Sequence, residues 1–221
     1  MSLTYVDRFR PRLRHQRQHH IDAGWFHQRD EIALLEPGQL RPLAQMSLVM
    51  LIIGGLFFVA LTVLAYFWHT GQFFPSITFW GVVLWIVANV VAYVIVLPLH
   101  ECIHGMVMLL WGGRPYFGAK LPLALYCGAR QQLFSRDHYL MVGIAPLIVI
   151  SLLGVVATLY FPALASYGLL AWVGNFSGAA GDVMVVRRLL RLPKAVLVED
   201  TETGYMAWEI APGEASDRSF G

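Results

Sequence analysis

The sequence contains few charged residues. Only 14% of its 221 residues are Asp, Glu, Lys or Arg, whereas 57% are hydrophobic. Soluble domains carry about 25% charged residues, so this composition excludes an ordinary soluble domain. The net charge of +2 is small, and no run of basic residues interleaved with aromatics occurs outside the two ends of the chain. Both observations exclude a nucleic-acid partner. We expect an integral membrane protein that lies in a lipid bilayer.

Cysteine is also scarce. Cys102 and Cys127 are the two cysteines, and they give neither a disulfide pattern nor the paired spacing of a structural zinc knuckle. We therefore expect two reduced thiols.

Polarity divides the chain into three regions. Residues 1–45 are polar and basic, and we expect a cytoplasmic tail that contacts anionic headgroups through its arginines. Residues 46–190 hold the long apolar runs and form the expected transmembrane domain. Residues 191–221 are polar again and are expected to form a cytoplasmic C-terminal tail.

Four apolar segments in the middle region are long enough to cross a hydrocarbon core of about 30 Å. They cover residues 46–68, 77–111, 139–161 and 164–190. Between the second and third, residues 112–136 mix glycine, proline and basic residues with short apolar runs, which indicates a short membrane-embedded hairpin or loop. The predicted fold class is an all-α polytopic membrane protein with four transmembrane helices.

The basic residues predict the orientation. All sixteen Lys and Arg residues lie in the N-terminal tail, in the loop between spans two and three, or at the end of span four and beyond it. The positive-inside rule then places both termini and the central loop in the cytoplasm.

The second span contains ionisable residues within an apolar run. In "PLHECIHG", His100 and His104 are four residues apart, so on a helix they share one face and can bind one metal ion. Glu101 is displaced around the helix, towards the place of a bound water, where it can act as a base. A catalytic zinc normally takes three protein ligands and leaves the fourth position to water, so a third ligand is required.

The acidic residues supply a candidate for that ligand. Between residues 46 and 190 the acidic side chains are Glu101, Asp137 and Asp182, and Asp137 lies among polar residues at an expected loop edge. Asp182 remains as a buried carboxylate in the cytoplasmic half of span four, at a depth close to that of the two histidines. Asn175 is seven residues earlier and lies on the same face.

A purely structural interpretation stays open. Buried histidines can simply hydrogen-bond a carbonyl group or each other, and Asp182 can pair with Arg187 or Arg188 on its own helix. Asp137 and Cys102 are the alternatives for the third ligand, although Cys102 faces away from the two histidines.

The pattern resembles the site-2-protease class of intramembrane zinc metalloproteases, which combine a transmembrane HExxH with a late span that holds an asparagine and a metal-binding aspartate. It is more similar to the small bacterial membrane proteins grouped as "putative zincin peptidases", in which "PLHECIHG" ends one span and "GNFSGAAGD" lies in the last. The likeness covers roughly residues 77–205. In the better-known proteases, an asparagine- and proline-rich stretch ends in aspartate–glycine, whereas here Val183 follows Asp182 and no proline is nearby.

The resemblance implies a zinc ion and a role for each motif residue. The zinc ligands would be His100, His104 and Asp182, the general base Glu101, and Asn175 would contact the substrate or the oxyanion. It also implies a location in a bacterial plasma membrane. The expected function is hydrolysis of peptide bonds in membrane or membrane-proximal protein substrates near the cytoplasmic face. The alternatives are a non-catalytic zinc-binding scaffold of the same fold and, less favoured by ligands at a single depth, a metal transporter.

Overall fold

The computed structural model of the protein describes residues 3–76, 78–120, 124–201 and 203–210. The helices are α1 (Pro11–Asp22), α2 (Pro37–Thr70), α3 (Phe79–Leu110), α4 (Arg136–Tyr160), α5 (Pro162–Ala165), α6 (Leu169–Gly178) and α7 (Ala180–Leu189). The strands are β1 (Thr4–Tyr5), β2 (Phe26–Ala33), β3 (Tyr116–Lys120), β4 (Ala124–Gly128), β5 (Gln132–Ser135), β6 (Leu197–Thr201) and β7 (Gly204–Ile210).

Four helical stretches are long and apolar enough to cross a membrane. They are Pro37–Thr70, Phe79–Leu110, Arg136–Tyr160 and Pro162–Leu189. The prediction of four such segments is confirmed, with the first beginning nine residues before the expected start. The fourth stretch is not one continuous helix, because a 3-10 turn separates α5 from α6 and the helix breaks again at Ala179.

The prediction of an all-α fold is wrong, because the described residues also form a five-stranded mixed sheet. Its strand order is β1-β5-β6-β7-β2, with β1 parallel to β5 and the other pairs antiparallel. The segments expected to be polar tails supply β1, β2, β6 and β7. Strands β1, β2 and β7 bury only part of their side chains, and the buried strand β6 contains Glu199 and Asp200. Their composition therefore resembles that of a polar tail. The boundaries and the membrane sides of the three predicted regions stay predictions.

The predicted hairpin between the second and third spans is present. Strands β3 and β4 pair antiparallel, in a register that places Tyr116 opposite Gly128 and Lys120 opposite Ala124. Residues 121–123 between them lie outside the described part of the chain. Insertion of this hairpin into the membrane stays a prediction.

The chain forms two compact units, and the sheet belongs to the unit composed of Met1–Leu40, Ile103–Ile144 and Asp182–Gly221. We call it the sheet unit. Its core joins the sheet to the end of α3, the start of α4 and most of α7. The residues that make this junction are Met108, Tyr139, Val142, Val185, Leu189, Phe134 and Val198.

A glycine-dependent cap ends α3 inside the sheet unit. The N–H of Gly113 donates to the Met108 carbonyl and that of Gly112 to the Leu109 carbonyl, which is the double hydrogen bond of a Schellman cap. Gly112 has a φ of +90°, a conformation that side chains disfavour. The chain can therefore leave the helix directly after Trp111.

The helical unit is composed of Arg41–Cys102 and Ala145–Gly181. Its helices pack closely through small residues. A Cβ atom added at Gly174 would lie 2.4 Å from the Tyr93 ring. The hydroxyl groups of Ser47 and Ser177 lie 2.9 Å apart, so α2 and α6 are also joined by a hydrogen bond.

Candidate metal centre

The ionisable residues of the HExxH motif lie on one continuous helix. His100, Glu101 and His104 belong to α3, and each offers a ligand atom that lies within 4.8 Å of the other two. His104 is buried, whereas His100 and Glu101 are half-buried. The local helix geometry thus brings two imidazoles and one carboxylate together within a single turn.

In the sheet unit, hydrogen bonding determines the tautomer of His104. Its Nδ1 lies 2.8 Å from the carbonyl oxygen of Val142. A carbonyl oxygen only accepts, so Nδ1 carries the proton and donates it. Nε2 is then the nitrogen that would bind a metal ion, as in most histidine metal sites, where the second ring nitrogen donates to an acceptor.

Pro146 explains why the Val142 carbonyl can accept a hydrogen bond from His104. In a helix, this carbonyl would accept from the N–H of the residue four positions later. That residue is Pro146, which lies inside α4 and has no N–H. The proline therefore removes the competing donor, and the carbonyl can accept from His104.

The distance between His104 and Asp182 fits a shared metal ion. His104 Nε2 lies 3.4 Å from Asp182 Oδ1. This exceeds the 2.7–3.2 Å range of a good N–H···O hydrogen bond. Two donor atoms bound to one tetrahedral zinc at about 2.0–2.1 Å would lie about 3.3 Å apart. The pair has the spacing of two ligands of a single ion.

Asp182 lies in the first turn of α7. The preceding helix ends at Gly178, and the break at Ala179 makes α7 begin immediately before the aspartate. A carboxylate in the first turn is stabilised by the N–H groups and the dipole of its helix. The predicted third ligand thus lies at the N-terminal end of a helix.

In the helical unit, His100 has its own orienting partner. His100 Nδ1 lies 2.9 Å from Asn175 Oδ1, so the imidazole donates to the amide oxygen and Nε2 is the nitrogen that would bind a metal ion. Asn175 is 3% exposed. Its buried Nδ2 atom has no hydrogen-bond partner among the described residues. Asn175 thus orients His100 and also retains an unsatisfied donor, a situation that is rare inside proteins.

Three residues of the sheet unit lie at similar distances from the ends of their helices. His104 precedes the last residue of α3 by six positions, Val142 follows the first residue of α4 by six, and Asp182 precedes the last residue of α7 by seven. At 1.5 Å per residue these offsets are about 9–11 Å. The expectation that His104 and Asp182 lie at similar depths agrees with these offsets.

The alternative pairing of Asp182 with Arg188 is wrong. Arg188 donates to both carboxylate oxygens of Asp30, at 2.8 and 2.5 Å, and the Tyr205 hydroxyl donates to the same group at 2.6 Å. Burial alone would raise the pKa of Asp30, but the bonds from Arg188 and Tyr205 outweigh burial and hold that pKa below its usual value. Among the described residues, no ion pair joins Arg187 to Asp182 either.

The other candidate ligands are placed elsewhere. Asp137 is more than half exposed and accepts from the Arg136 guanidinium at 2.7 Å. Cys102 is exposed and Cys127 is buried, both as free thiols, as the sequence predicted. These positions give no support to Asp137 or Cys102 as a third ligand.

One buried polar residue of the second span was not identified from the sequence. Asn89 donates to the carbonyl groups of Trp85 and Ser166, and its Oδ1 accepts from the N–H of Leu170 at 2.8 Å. Its role is to satisfy the backbone at the start of α6. An asparagine inside a run of Val, Leu and Ile was the available signal.

The donor set fits zinc. Imidazole nitrogen and carboxylate oxygen are ordinary zinc ligands, and both histidines have Nδ1 engaged with an acceptor, which orients Nε2 for the ion. His104 and Asp182 in the sheet unit, and His100 in the helical unit, are residues that could each offer zinc a ligand atom, and Glu101 lies beside the histidines on α3.

Comparison with known proteins agrees with this chemistry. A model of the family described as "Putative zincin peptidase" matches residues 93–197. That range contains the HExxH motif, the β3–β4 hairpin, Asn175 and Asp182, and it is narrower than the range of 77–205 expected from the sequence. No curated protein and no solved structure matches the chain. The match favours zinc metallopeptidase chemistry, whereas the relation to site-2 proteases and the bacterial origin stay predictions.

Proposed function

We propose that the chain is a membrane-embedded zinc metallopeptidase that hydrolyses peptide bonds in membrane or membrane-proximal protein substrates. The observation that carries the proposal is the orientation of the two histidines. Each imidazole donates from Nδ1 to a separate acceptor, and the Nε2 of His104 lies 3.4 Å from Asp182. A histidine with a purely structural role can also donate to a carbonyl or amide oxygen, so it is the Asp182 carboxylate beside Nε2 of His104 that favours a metal site.

Zinc, when bound by His100, His104 and Asp182, would polarise the scissile carbonyl and make a water molecule acidic enough to deprotonate near neutral pH. Glu101 does not need to bind the ion. Its carboxylate takes the proton of the attacking water and passes it to the leaving amine, a role worth about 10²- to 10⁴-fold in rate.

Asn175 has two tasks in this proposal. Its Oδ1 holds the Nδ1–H of His100, and its unsatisfied Nδ2 donates to the substrate carbonyl oxygen as negative charge develops there. A buried donor without a partner costs free energy in the resting protein. A substrate carbonyl would remove that cost.

The proposed setting is a bacterial plasma membrane. Both termini and the loop between the second and third spans would lie in the cytoplasm, with the metal centre near the cytoplasmic face. The four long apolar helices support membrane association, and the one-sided distribution of Lys and Arg supports the orientation. Cysteines introduced at Gln72 and at Arg114, which are both exposed, test it in a Cys102→Ser background. An impermeant thiol reagent added outside intact cells should label the Gln72 position alone. Labelling at Arg114 would contradict the orientation.

The decisive experiment compares zinc content with cleavage. The purified chain should contain about one zinc, and His100→Ala and His104→Ala should lose it. Glu101→Gln keeps the shape of the side chain but removes the base, so it should retain zinc and lose cleavage of a single-span substrate in reconstituted vesicles. Glu36→Gln, at an exposed position, is the matched control and should behave like the parent.

Two outcomes would contradict the proposal. Full cleavage by a zinc-loaded Glu101→Gln protein would exclude Glu101 as the base. A parent that binds zinc but cuts no member of a broad substrate panel would favour the non-catalytic scaffold.

A further inference from the structure

A pocket of about 830 Å³ lies in the sheet unit, beside β1 and the turn that follows α3. Four of the side chains that line it are arginines, namely Arg8, Arg14, Arg114 and Arg130. His15 also lines the pocket, and among its described lining residues Asp7 is the only acidic one. The volume lies within the range of small-molecule sites, about 300–1,000 Å³.

The acid does not neutralise the pocket arginines. Asp7 is 1% exposed, and its carboxylate accepts from the backbone N–H groups of Phe9 and Arg10 and from Arg10 Nε at 3.0 Å. Arg8 and Arg14 are exposed and form no ion pair with any residue in the described part of the chain. The pocket is therefore strongly positive.

Arg114 and Arg130 are held in the pocket by their surroundings. The side chain of Gln132 accepts from the N–H of Arg114 at 2.7 Å and donates to its carbonyl at 2.9 Å, which fixes the backbone there. The Arg130 guanidinium lies over the Tyr116 ring, 4.5 Å from its centroid. The Arg130 guanidinium, stacked in this way, loses little freedom when it binds an anion, which lowers the cost of binding.

The part of the wall that Tyr5, Arg8 and Gln18 form is also constrained. Gln18 accepts from the N–H of Tyr5 at 2.8 Å and donates to the Leu3 carbonyl at 3.0 Å, which ties α1 to β1. Arg8 approaches the chain so closely that a Cβ atom added at Gly112 would lie 3.1 Å from the Arg8 Cβ. These contacts hold the wall in a defined shape.

The position along the chain indicates the source of the anion. Trp111 and Gly112 line the pocket and directly follow Leu110, the last residue of a candidate membrane span. The end of a span lies at the level of the lipid headgroups, where tryptophan is enriched. Basic pockets at this level bind the phosphates of anionic lipids.

We propose that this pocket binds the headgroup phosphate of an anionic phospholipid. Arginine binds phosphate through bidentate, charge-assisted hydrogen bonds, and several arginines around one cavity match its charge. The proposal is independent of the metal centre.

The test measures dissociation constants of the full chain in detergent with short-chain phosphatidylglycerol, short-chain phosphatidylcholine and inorganic phosphate. The parent should bind phosphatidylglycerol saturably and the other two at least tenfold more weakly. Arg14→Ala combined with Arg114→Ala should weaken phosphatidylglycerol binding about 100-fold, tenfold for each lost charged hydrogen bond. Arg12→Ala combined with Arg41→Ala removes the same charge outside the pocket and should change binding by less than about threefold.

Three results would overturn the proposal. Equal weakening by the control pair would indicate diffuse electrostatic attraction. Equal affinity for phosphatidylcholine would exclude recognition of an anionic headgroup. If inorganic phosphate binds as tightly as phosphatidylglycerol and depends equally on Arg14 and Arg114, the ligand is a free phosphate and not a lipid. If the double variant has a lower melting temperature than the parent, the single variant Arg114→Gln is tested in its place. It should bind phosphatidylglycerol about tenfold more weakly than the parent.

Discussion

Replacement of Asn175 by alanine tests the orientation of His100 directly. The substitution removes the Oδ1 atom that accepts the Nδ1–H of His100 at 2.9 Å. Because Asn175 is 3% exposed, water cannot readily replace the lost acceptor. The imidazole is then free to rotate or to change its tautomer, and either change removes the Nε2 lone pair from its position for zinc.

The expected loss follows from the character of this bond. A buried donor left without its acceptor costs about 1–3 kcal/mol. Loss of an outer-shell partner of a metal-binding histidine typically weakens metal binding about 10- to 100-fold. That factor corresponds to about 1.4–2.7 kcal/mol, so the two estimates agree. We expect Asn175→Ala to weaken zinc binding by this factor without abolishing it at saturating zinc.

The assay is a competition titration of zinc against a fluorescent chelator in detergent, together with a thermal melt. Asn89→Ala is the matched control, since it removes another buried asparagine of the helical unit, one that hydrogen-bonds only backbone groups. It should lower the melting temperature and leave zinc affinity unchanged.

Asn175→Asp separates the two proposed tasks of this residue. A carboxylate accepts from His100 at least as well as an amide, so zinc binding should be retained. The Nδ2 donor is lost, so turnover should fall. Asn175→Ala that binds zinc as tightly as the parent would refute the assignment of Asn175 as the partner that orients a metal-binding His100.

Three further changes test other parts of the molecule. Asp182→Asn should weaken zinc binding by about 100-fold or more in the same titration, because a neutral amide is a poor zinc ligand. Unchanged zinc content would show that Asp182 is not the third ligand. Pro146→Ala restores an N–H that competes for the Val142 carbonyl, so zinc affinity should fall about tenfold although the helix gains a hydrogen bond; an unchanged affinity would contradict this account of His104. The hydrogen bonds from Arg188 and Tyr205 hold the pKa of Asp30 in the folded protein below its unfolded value of about 4. Ionised Asp30 therefore stabilises the fold above about pH 4, and this stabilisation is lost as the pH falls through the folded pKa. Melting temperatures of the parent and Asp30→Asn should therefore converge only below about pH 4, and a constant difference down to pH 2 would refute this.

The candidate ligands could be predicted because their signals are local. His100 and His104 share a helix face by spacing alone, and a carboxylate such as Asp182 in an apolar segment is costly enough to need a partner. The 3.4 Å contact between His104 and Asp182 agrees with that reasoning. The role of Asn175 in orienting His100 could not be predicted in the same way, because the direction of an amide side chain depends on what packs against it.

The sheet could not be predicted from the same kind of signal. Strand β2 (Phe26–Ala33) pairs with β7 (Gly204–Ile210), more than 170 residues later, so no local pattern identifies the partner. The buried strand β6 contains Glu199 and Asp200 at positions where a core strand usually has apolar residues. Burial raises the pKa of Glu199 above its ordinary value. Such strands resemble a polar tail until their tertiary partners are known.

The open sheet constrains where the chemistry can occur. Strand β2 is an edge of the five-stranded sheet, and open sheet edges do not occur against lipid hydrocarbon. The sheet must therefore lie outside the hydrocarbon core. His104 and Asp182 lie only about 9–11 Å from the helix ends that pack on this sheet. Because the core is about 30 Å thick, we infer that the metal centre lies nearer to one membrane surface than to the midplane. In the proposed function, a substrate helix would therefore unwind close to that surface, where its freed backbone groups can be hydrated before the peptide bond is cut.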